Sequence, residues 1–339
     1  MCLRWVTWSS ILERPDLLSA IFMMRDGYGR PLTNFRIAVT QECNLECFYC
    51  HKEGQYYAST QMEPMEIARI TGIATDFGVR NVKITGGEPL LREDLSEIVY
   101  LIHRLPKVEE VSLVTNARLL TSQRALDLKK NGLARVNVSL PSILPETYRR
   151  VTGGNLCDAI NGVRAAIQAG LNPVKINMVV VHGVNEDEVS PMANFSRNFG
   201  ITLQLIELEP VNIDRESYNL YHHSLEAIER DLASRSTKVE SRPFMQGRRI
   251  YTVEGARVEL VKPVENTSFC MQCTRMRLTS DGKLKPCLMR NDNLVDILTP
   301  LRKGESDDYL YAVFRKALEA REPFHKVMPQ SIDVKKRKA

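Results

Sequence analysis

Two groups of cysteines in this chain have the spacing of metal ligands. Six of the eight cysteines belong to them: Cys43, Cys47 and Cys50 in the run CNLECFYC, and Cys270, Cys273 and Cys287 near the end. Each group offers three thiolates, whereas a structural zinc ion or an ordinary iron–sulfur cluster is held by four protein ligands. A 4Fe–4S cubane held by three thiolates leaves one iron free to bind another molecule. Two such groups in one chain therefore indicate chemistry on a bound small molecule.

Composition and charge argue against several classes of protein. No apolar run approaches the length of a membrane-spanning helix. The first 24 residues carry Glu13 and Asp16, which is not typical of a secretory signal, and Met23 offers a natural start after them. Four of the five net positive charges lie at residues 335–338, so nucleic-acid binding is not expected. Cysteines spaced as ligands rather than as disulfides favour a reducing cytoplasm.

Strand and helix patterns alternate through the first two thirds of the chain. Strands are predicted at residues 35–40, 81–85, 110–115, 134–140, 174–181 and 201–208. Helices are predicted between them at 64–77, 92–105, 121–131, 156–169 and 186–199. Strand–helix–strand units in series predict a parallel α/β sheet, and six strands are too few for a complete eight-stranded barrel. The predicted fold is an incomplete (βα)6 TIM-type barrel.

One face of these strands is unusually polar. Its members alternate along the strands: Arg36, Thr40, Lys83, Thr85, Arg135, Asn137, Ser139, Lys175, Asn177 and Gln204. Residues two apart on a strand share a face, and helices cover the outer face of a βα sheet. The polar face is therefore predicted to lie inside the barrel, although a half-exposed sheet would show the same alternation. A polar interior indicates that a ligand binds there.

The pattern changes after Leu208. One helix is predicted at 217–234, followed by short strands, a hairpin around Asp281 and Gly282, and helices near 294–298 and 307–320. The predicted organisation is an N-terminal extension and lead-in (1–34), the partial barrel (35–215), a C-terminal region with the second cysteine group (216–328), and a basic tail (329–339). A tail of like charges is expected to be disordered.

The first cysteine group and a glycine motif resemble the radical S-adenosylmethionine (SAM) superfamily. CNLECFYC is similar to its signature, and the run Thr85–Pro89 (TGGEP) is similar to its second motif. The resemblance implies that Cys43, Cys47 and Cys50 hold a 4Fe–4S cluster whose fourth iron chelates SAM. It also implies four SAM contacts: Tyr49, Gly87, Ser139 and Glu209.

The second cysteine group is, on spacing alone, more typical of zinc. Its segment CMQCTRMRLTSDGKLKPCL nevertheless resembles the auxiliary-cluster segment of the GTP 3′,8-cyclases, and so do GRPLTNFRIAVT, RVNVSLPSI, VKINMVVVHGVNEDEV and IELEP elsewhere. The resemblance implies a second 4Fe–4S cluster on Cys270, Cys273 and Cys287, with its open iron toward guanine. It further implies a set of GTP contacts: Arg36, Lys83, Lys175, Arg275, Met276 and Arg277.

The resemblance implies a reaction and partners. GTP is converted to 3′,8-cyclo-7,8-dihydroguanosine 5′-triphosphate by a radical SAM lyase, in the first step of molybdenum cofactor biosynthesis. An electron donor, a downstream enzyme that forms cyclic pyranopterin, and a homodimer are expected as partners. The alternatives are a radical SAM enzyme with an auxiliary cluster that modifies another substrate such as a peptide, and a zinc-binding module without activity.

Four features depart from the family pattern. Val114 stands where threonine is common, Pro141 replaces an aspartate, and Gln204 takes a place often held by arginine. The chain ends in VKKRKA, whereas family members commonly end in Gly-Gly. The closing of the site and the choice of substrate depend on these positions.

Overall fold

A single sheet of twelve strands dominates the computed structural model, which describes residues 24–324 except 56, 59, 243 and 244. The strands are β1 (Asn34–Ala38), β2 (Asn81–Thr85), β3 (Glu110–Thr115), β4 (Leu133–Ser139), β5 (Lys175–Val180), β6 (Thr202–Glu207), β7 (Lys238–Arg242), β8 (Arg248–Val253), β9 (Ala256–Val261), β10 (Arg275–Leu278), β11 (Lys283–Lys285) and β12 (Val295–Asp296). The predicted N-terminal extension (residues 1–23) and the basic tail lie outside the described residues.

Eleven helices connect or flank the described strands. They are α1 (Pro64–Asp76), α2 (Leu95–His103), α3 (Ser122–Lys130), α4 (Pro145–Thr152), α5 (Leu156–Gln168), α6 (Val189–Asn198), α7 (Arg215–Tyr221), α8 (Glu226–Arg235), α9 (Thr267–Met271), α10 (Leu298–Arg302) and α11 (Asp307–Glu319). Short 3₁₀ turns occur at Lys52–Gly54, Pro89–Leu91 and Glu186–Glu188. Within the described part of the chain, no helix is long and apolar enough to cross a membrane.

The strands β1 to β6 are parallel neighbours in chain order, which confirms the predicted α/β fold. Two further strands extend the parallel part, because β10 pairs parallel with β1 and β9 pairs parallel with β6. The outer strands β11, β12, β8 and β7 are antiparallel. The parallel part thus has eight strands rather than six, and among the described strands β12 and β7 remain the two edges.

The hydrophobic core lies between the sheet and its outer helices. Alternate strand residues such as Ile37, Ile84 and Val136 are fully buried there. The helix α11 closes the core below β1, where Phe314 packs against Phe35 and Phe77 with ring centroids 6.1 and 4.6 Å apart. Because the apolar residues face the helices, the polar residues between them face the opposite side of the sheet.

Three helix predictions are wrong in detail. The predicted helix at 217–234 is two helices, since His222 forms an extended bridge with Val181 after the end of α7. The helix predicted near 294–298 begins only at Leu298, because Val295 pairs with Leu284 in β12. The helix α4 was not predicted. In the first two cases a contact outside the local sequence decides where a helix ends or begins.

Candidate active site

One cavity lies at the carboxyl ends of the parallel strands, and both groups of cysteines line it. The polar strand face lines it too: Arg36, Lys83, Thr85, Arg135, Asn137, Ser139, Lys175, Asn177 and Gln204. This confirms the predicted polar interior; Thr40, at the end of the same face, is buried but does not line the cavity. Parallel α/β folds commonly bind ligands at this end of the sheet.

The first cysteine group lies on the loop between β1 and α1. The end of α4 holds this loop, since the backbone N–H of Glu46 donates to the Thr152 carbonyl at 3.0 Å. Phe48, between two of the cysteines, packs on Tyr221 with ring centroids 4.9 Å apart. Contacts with neighbouring segments therefore hold this loop in place.

The glycine motif braces the same loop. The N–H groups of Gly87 and Glu88 donate to the carbonyls of Thr40 and Glu42 at 2.8 and 2.7 Å. The Glu88 carboxylate is almost fully buried and accepts hydrogen bonds from the Thr115 hydroxyl at 2.6 Å and the Asn116 N–H at 2.7 Å. Burial raises the pKa of Glu88, and these hydrogen bonds oppose that shift. The motif thus ties the cysteine loop to the ends of β2 and β3.

The three thiols of the first group can bind one positively charged metal centre together. Burial, and then the charges of the neighbouring Cys50 and Cys43, raise the pKa of Cys47 to about 12. Ligand thiols must lose their protons, and a bound cation compensates for gathering three thiolates. The chemistry of this donor set fits an iron–sulfur cluster.

Neither cysteine group has the spacing of a single-ion site. Within the described residues, only His182, Glu186 and His223 bring three potential ligand atoms of histidine, cysteine or carboxylate within 4.8 Å of one another. Sulfurs on one zinc ion are closer together than this, because each lies about 2.3 Å from the metal. In neither cysteine triad do all three sulfurs lie within 4.8 Å of one another.

The second cysteine group is positioned by two arginines. Cys270 lies in α9, Cys273 precedes β10, and Cys287 follows β11. Arg30 donates to the Cys270 carbonyl at 2.9 Å, and the buried Arg321 donates to the Cys273 carbonyl at 2.7 Å. Although burial opposes it, the charges of Arg321, Arg275 and Arg30 lower the pKa of Cys273. This environment favours the thiolate that a metal requires.

All four expected SAM contacts, Tyr49, Gly87, Ser139 and Glu209, line the cavity. Tyr49 is close enough to the first cysteine group that burial, then the charges of Cys47 and Cys50, raise its pKa well above the usual range. Glu209 lies 3.9 Å from the His51 imidazole, directly after Cys50. Tyr49, Gly87 and Glu209 therefore lie beside the first cysteine group, and Ser139 lines the same cavity.

Nine basic side chains line the cavity: Arg30, Arg36, Lys83, Arg135, Lys175, Arg242, Arg248, Arg275 and Arg277. Five expected GTP contacts are among them, whereas the sixth, Met276, has its side chain in the hydrophobic core. The strand alternation explains this, because neighbours on β10 face opposite sides. Only the backbone of Met276 is left to contact a ligand.

Positive charge exceeds negative charge in this cavity, since only five glutamates line it. Burial, and then the nearby charges of Arg135, Arg36 and Arg275, lower the pKa of Lys83 well below its usual range. Collecting like charges in a buried site costs free energy that a bound polyanion offsets. The cavity is therefore suited to a phosphate chain.

Glu53, which the sequence analysis missed, separates two of these arginines. Its carboxylate lies 2.5 Å from Arg277 and 3.4 Å from Arg36. Burial raises the pKa of Glu53, but the two guanidinium charges outweigh it and lower the pKa to about 2. The left-handed backbone of Glu53, with φ of 52°, turns the chain after Cys50 so that this contact forms.

Comparison with known proteins identifies the family. The radical SAM superfamily profile matches residues 37–196, and the profile described as Molybdenum Cofactor Synthesis C matches residues 201–327. A probable GTP 3′,8-cyclase of Methanococcus vannielii is 44% identical over 306 residues, covering 89% of this chain and 99% of that protein. That of Thermococcus kodakarensis is 43% identical over 311 residues, covering 90% and 100%. The chain belongs to the GTP 3′,8-cyclase family of radical SAM enzymes.

Solved structures share the fold at low identity. Streptococcus suis SuiB bound to S-adenosylmethionine matches with a TM-score of 0.60 and 18% identity, covering 84% of this chain and 68% of that one. Native anSMEcpe with bound AdoMet matches with a TM-score of 0.55 and 17% identity, covering 78% and 76%. These likenesses show the α/β fold of the radical SAM enzymes.

Two of the departures from the family pattern fall in the cavity. Val114 and Gln204 both line it, whereas Pro141 does not. Gln204, on β6, is a neutral residue in a cavity that nine basic side chains line.

Gly87→Ala is expected to displace the first cysteine loop. A Cβ atom at Gly87 would lie 2.0 Å from the Glu42 carbonyl oxygen and 2.6 Å from that of Gln41, so this backbone must move. We expect reconstituted protein to lose the first cluster, with iron falling from about eight to about four per chain, and SAM cleavage to be lost. Gly27→Ala is the control, because nothing lies within 4 Å of the added atom. Full iron and cleavage in Gly87→Ala would contradict the role of this close approach.

A second residue missed from the sequence is Glu207, at the end of β6. Burial raises its pKa to about 7, with only partial compensation from Lys262 and backbone N–H groups. His222 lies 3.3 Å from the carboxylate, and burial lowers the pKa of His222, so burial disfavours the charged form of both groups. The charge of Glu207, which lines the cavity, therefore changes with pH near neutrality.

Glu207→Gln is expected to stabilise the fold more at pH 8 than at pH 5. In the unfolded chain this carboxyl has a pKa near 4.3. Below that pH it is protonated in both the folded and the unfolded chain, so its raised pKa does not lower the free energy of unfolding. As pH rises from there through about 7, the folded state increasingly holds a buried carboxylate, which reaches a penalty of about 3 kcal/mol. Thermal unfolding at both pH values, with the exposed Glu216→Gln as control, measures the difference. An equal shift at pH 5 and pH 8 would refute the raised pKa.

Proposed function

We propose that the chain is a lyase that converts GTP to 3′,8-cyclo-7,8-dihydroguanosine 5′-triphosphate. The observation that carries the proposal is one cavity that contains both cysteine triads and an excess of basic side chains. The near-complete coverage of relatives named probable GTP 3′,8-cyclase supports this substrate over a peptide. SuiB, solved with a precursor peptide, is similar at only 18% identity and supports the fold alone.

The cofactors in this proposal are SAM and two 4Fe–4S clusters. Cys43, Cys47 and Cys50 hold the first cluster, as their shared place in the cavity lining and the match to the radical SAM profile support. When bound, this cluster and SAM supply a 5′-deoxyadenosyl radical that takes hydrogen from the 3′ carbon of the GTP ribose, so that this carbon can bond to C8 of guanine. Tyr49, Gly87, Ser139 and Glu209 are the proposed contacts that orient SAM.

Cys270, Cys273 and Cys287 are proposed to hold the second cluster beside the guanine base. Arg275 and Arg277 then reach phosphate oxygens from the adjacent strand β10, since both face the cavity. Arg36, Lys83 and Lys175 contribute further positive charge from β1, β2 and β5. Charge-assisted hydrogen bonds from these groups orient the nucleotide and replace its water.

The broader assignments belong to the same proposal. The radical SAM part is residues 35–215 and the auxiliary-cluster part is residues 216–328. The protein acts in the cytoplasm, receives electrons from a reducing donor, passes its product to an enzyme that forms cyclic pyranopterin, and forms a homodimer.

An anaerobic assay of GTP loss tests the proposal. The hydrogen that leaves C3′ ends in 5′-deoxyadenosine, and the cyclised nucleotide gains one electron and one proton, so the product is an isomer of GTP. With reduced protein and SAM we expect GTP to be replaced by a species of equal mass, together with 5′-deoxyadenosine. Omission of SAM is the control. SAM cleavage that leaves GTP intact would overturn the proposal.

A further inference from the structure

A buried carboxylate on β9 gathers three cations at one side of the cavity. Glu259 is fully buried and contacts Lys175 on β5. It lies 3.1 Å from Arg242 on β7 and 3.7 Å from Arg248 on β8. We call these four residues the Glu259 cluster. Its three cations line the cavity, whereas Glu259 lies behind them.

Arg248 is the least satisfied member of the Glu259 cluster. Its side chain is only 7% exposed, yet its Nε atom has no hydrogen-bond partner among the described residues. One terminal nitrogen donates to the Gln246 Oε1 atom at 2.8 Å, and the guanidinium lies 5.7 Å from the Phe269 ring centroid. A buried donor without a partner destabilises the fold. An acceptor in the cavity would remove this destabilisation.

The Glu259 cluster also carries an excess of positive charge, which a bound anion would compensate. Arg242 and Arg248 are direct partners in the antiparallel ladder, and like charges placed opposite each other destabilise a sheet. Burial, and then the charges of Arg36 and Arg242, lower the pKa of Arg248, which Glu259 only partly offsets. The charges of Lys175, Arg248 and Arg242 overcome burial and lower the pKa of Glu259 to about 2, so one negative charge faces three positive ones.

The Glu259 cluster lies next to Gln204, an uncharged residue of the cavity wall. Glu259 pairs in register with Gln204 on β6, and Gln204 in turn pairs with the uncharged Asn177 on β5. The strands β7 and β8 then bring Arg242 and Arg248 to the same side. Positive charge missing from β6 is thereby supplied by the neighbouring antiparallel strands.

We propose that Arg248 is a further phosphate-binding residue, which contacts the triphosphate of GTP, and that Glu259 is its positioning residue. Arginine offers a planar fork that matches phosphate oxygens, and its Nε atom is available here. The assignment to GTP rests on the proposed function, whereas the anion site itself depends only on the residues of the Glu259 cluster.

Binding measurements on anaerobic, iron-loaded protein test the proposal. The variants are Arg248→Met, which removes the charge, and Arg248→Lys, which keeps a charge without the fork. Arg249→Met is the matched control, since Arg249 is the next residue on β8 but is 62% exposed. Dissociation constants are measured for GTP, guanosine and inorganic tripolyphosphate, and iron content and SAM cleavage report an intact fold.

We expect Arg248→Met to weaken GTP and tripolyphosphate binding about 10- to 100-fold, with guanosine affinity unchanged and Arg248→Lys intermediate. Equal GTP and tripolyphosphate affinity in Arg248→Met and Arg249→Met would overturn the proposal, and so would an equal loss for guanosine. If the native chain binds tripolyphosphate through Arg248 but not GTP, the proposed function fails while the anion site stands.

A double-mutant cycle tests the role of Glu259. If Glu259 acts by holding Arg248, the Arg248→Met substitution should cost less tripolyphosphate affinity in a Glu259→Gln background than in the native chain. Additive effects of the two substitutions would overturn the positioning role. Because the cycle compares affinities between backgrounds, a general loss of stability does not imitate the expected coupling.

Discussion

Replacing Cys47 by alanine is expected to abolish SAM cleavage, whereas replacing Cys273 is expected to stop GTP conversion and spare uncoupled cleavage. Each triad has three thiols for a cubane, so the loss of one leaves two. Reconstituted native protein should bind about eight irons per chain and each variant about four. 5′-Deoxyadenosine and the GTP isomer are measured by chromatography and mass spectrometry.

Cys157→Ala is the matched control for these cysteine variants. Cys157 is exposed on α5 and belongs to neither triad, so its replacement should leave iron, cleavage and conversion unchanged. If Cys47→Ala and Cys273→Ala lost SAM cleavage alike, the division of labour between the two clusters would be wrong.

Arg275→Ala and Arg277→Ala are expected to weaken GTP binding about 10- to 100-fold without emptying either cluster, since each removes charge-assisted hydrogen bonds to phosphate. Arg277→Ala should also lower the free energy of unfolding by roughly 1–3 kcal/mol, because the buried Glu53 loses its nearer partner. Isothermal titration of GTP and thermal unfolding measure the two effects. Arg257→Ala, on the half-exposed side of β9, is the control.

The double variant Arg277→Ala with Glu53→Gln separates stability from binding. Removing the Glu53 charge should restore much of the lost stability, whereas GTP affinity should stay low because Arg277 is still absent. Recovery of GTP affinity together with stability would show that Arg277 supports the fold and does not contact phosphate. If GTP affinity were unchanged in both Arg275→Ala and Arg277→Ala, neither arginine would have a role in nucleotide binding.

Much of the parallel sheet could be predicted because its signals are local. The strands β2 and β3 occupy the predicted residues 81–85 and 110–115, and the other four strands of the series differ by one or two residues at their ends. Alternation of polar and apolar residues identified the cavity face. The parallel placement of β9 and β10 could not be predicted. β9 is the second strand of an antiparallel hairpin, β10 follows the helix α9, and their partners β6 and β1 are distant in the chain.

The cysteines of the candidate site could be recognised from spacing, but its buried charges could not. In the sequence, Glu53 is a single acidic residue that follows Cys50 by three positions. Only its contact with Arg277, 224 residues away, shows that it lies among the arginines of the cavity. Arg248 and Arg249 form an ordinary basic pair in the sequence, although only Arg248 is buried. Met276 lies between two cavity arginines and faces the core. Such roles follow from the three-dimensional pairing of strands.

The most direct test of the GTP 3′,8-cyclase account is the fate of the hydrogen on C3′ of GTP. GTP carrying deuterium at C3′ is incubated anaerobically with reduced, iron-loaded protein and SAM, and 5′-deoxyadenosine is analysed by mass spectrometry. The account predicts that 5′-deoxyadenosine gains one deuterium as the GTP isomer forms. 5′-Deoxyadenosine formed without deuterium while labelled GTP stays intact would contradict it.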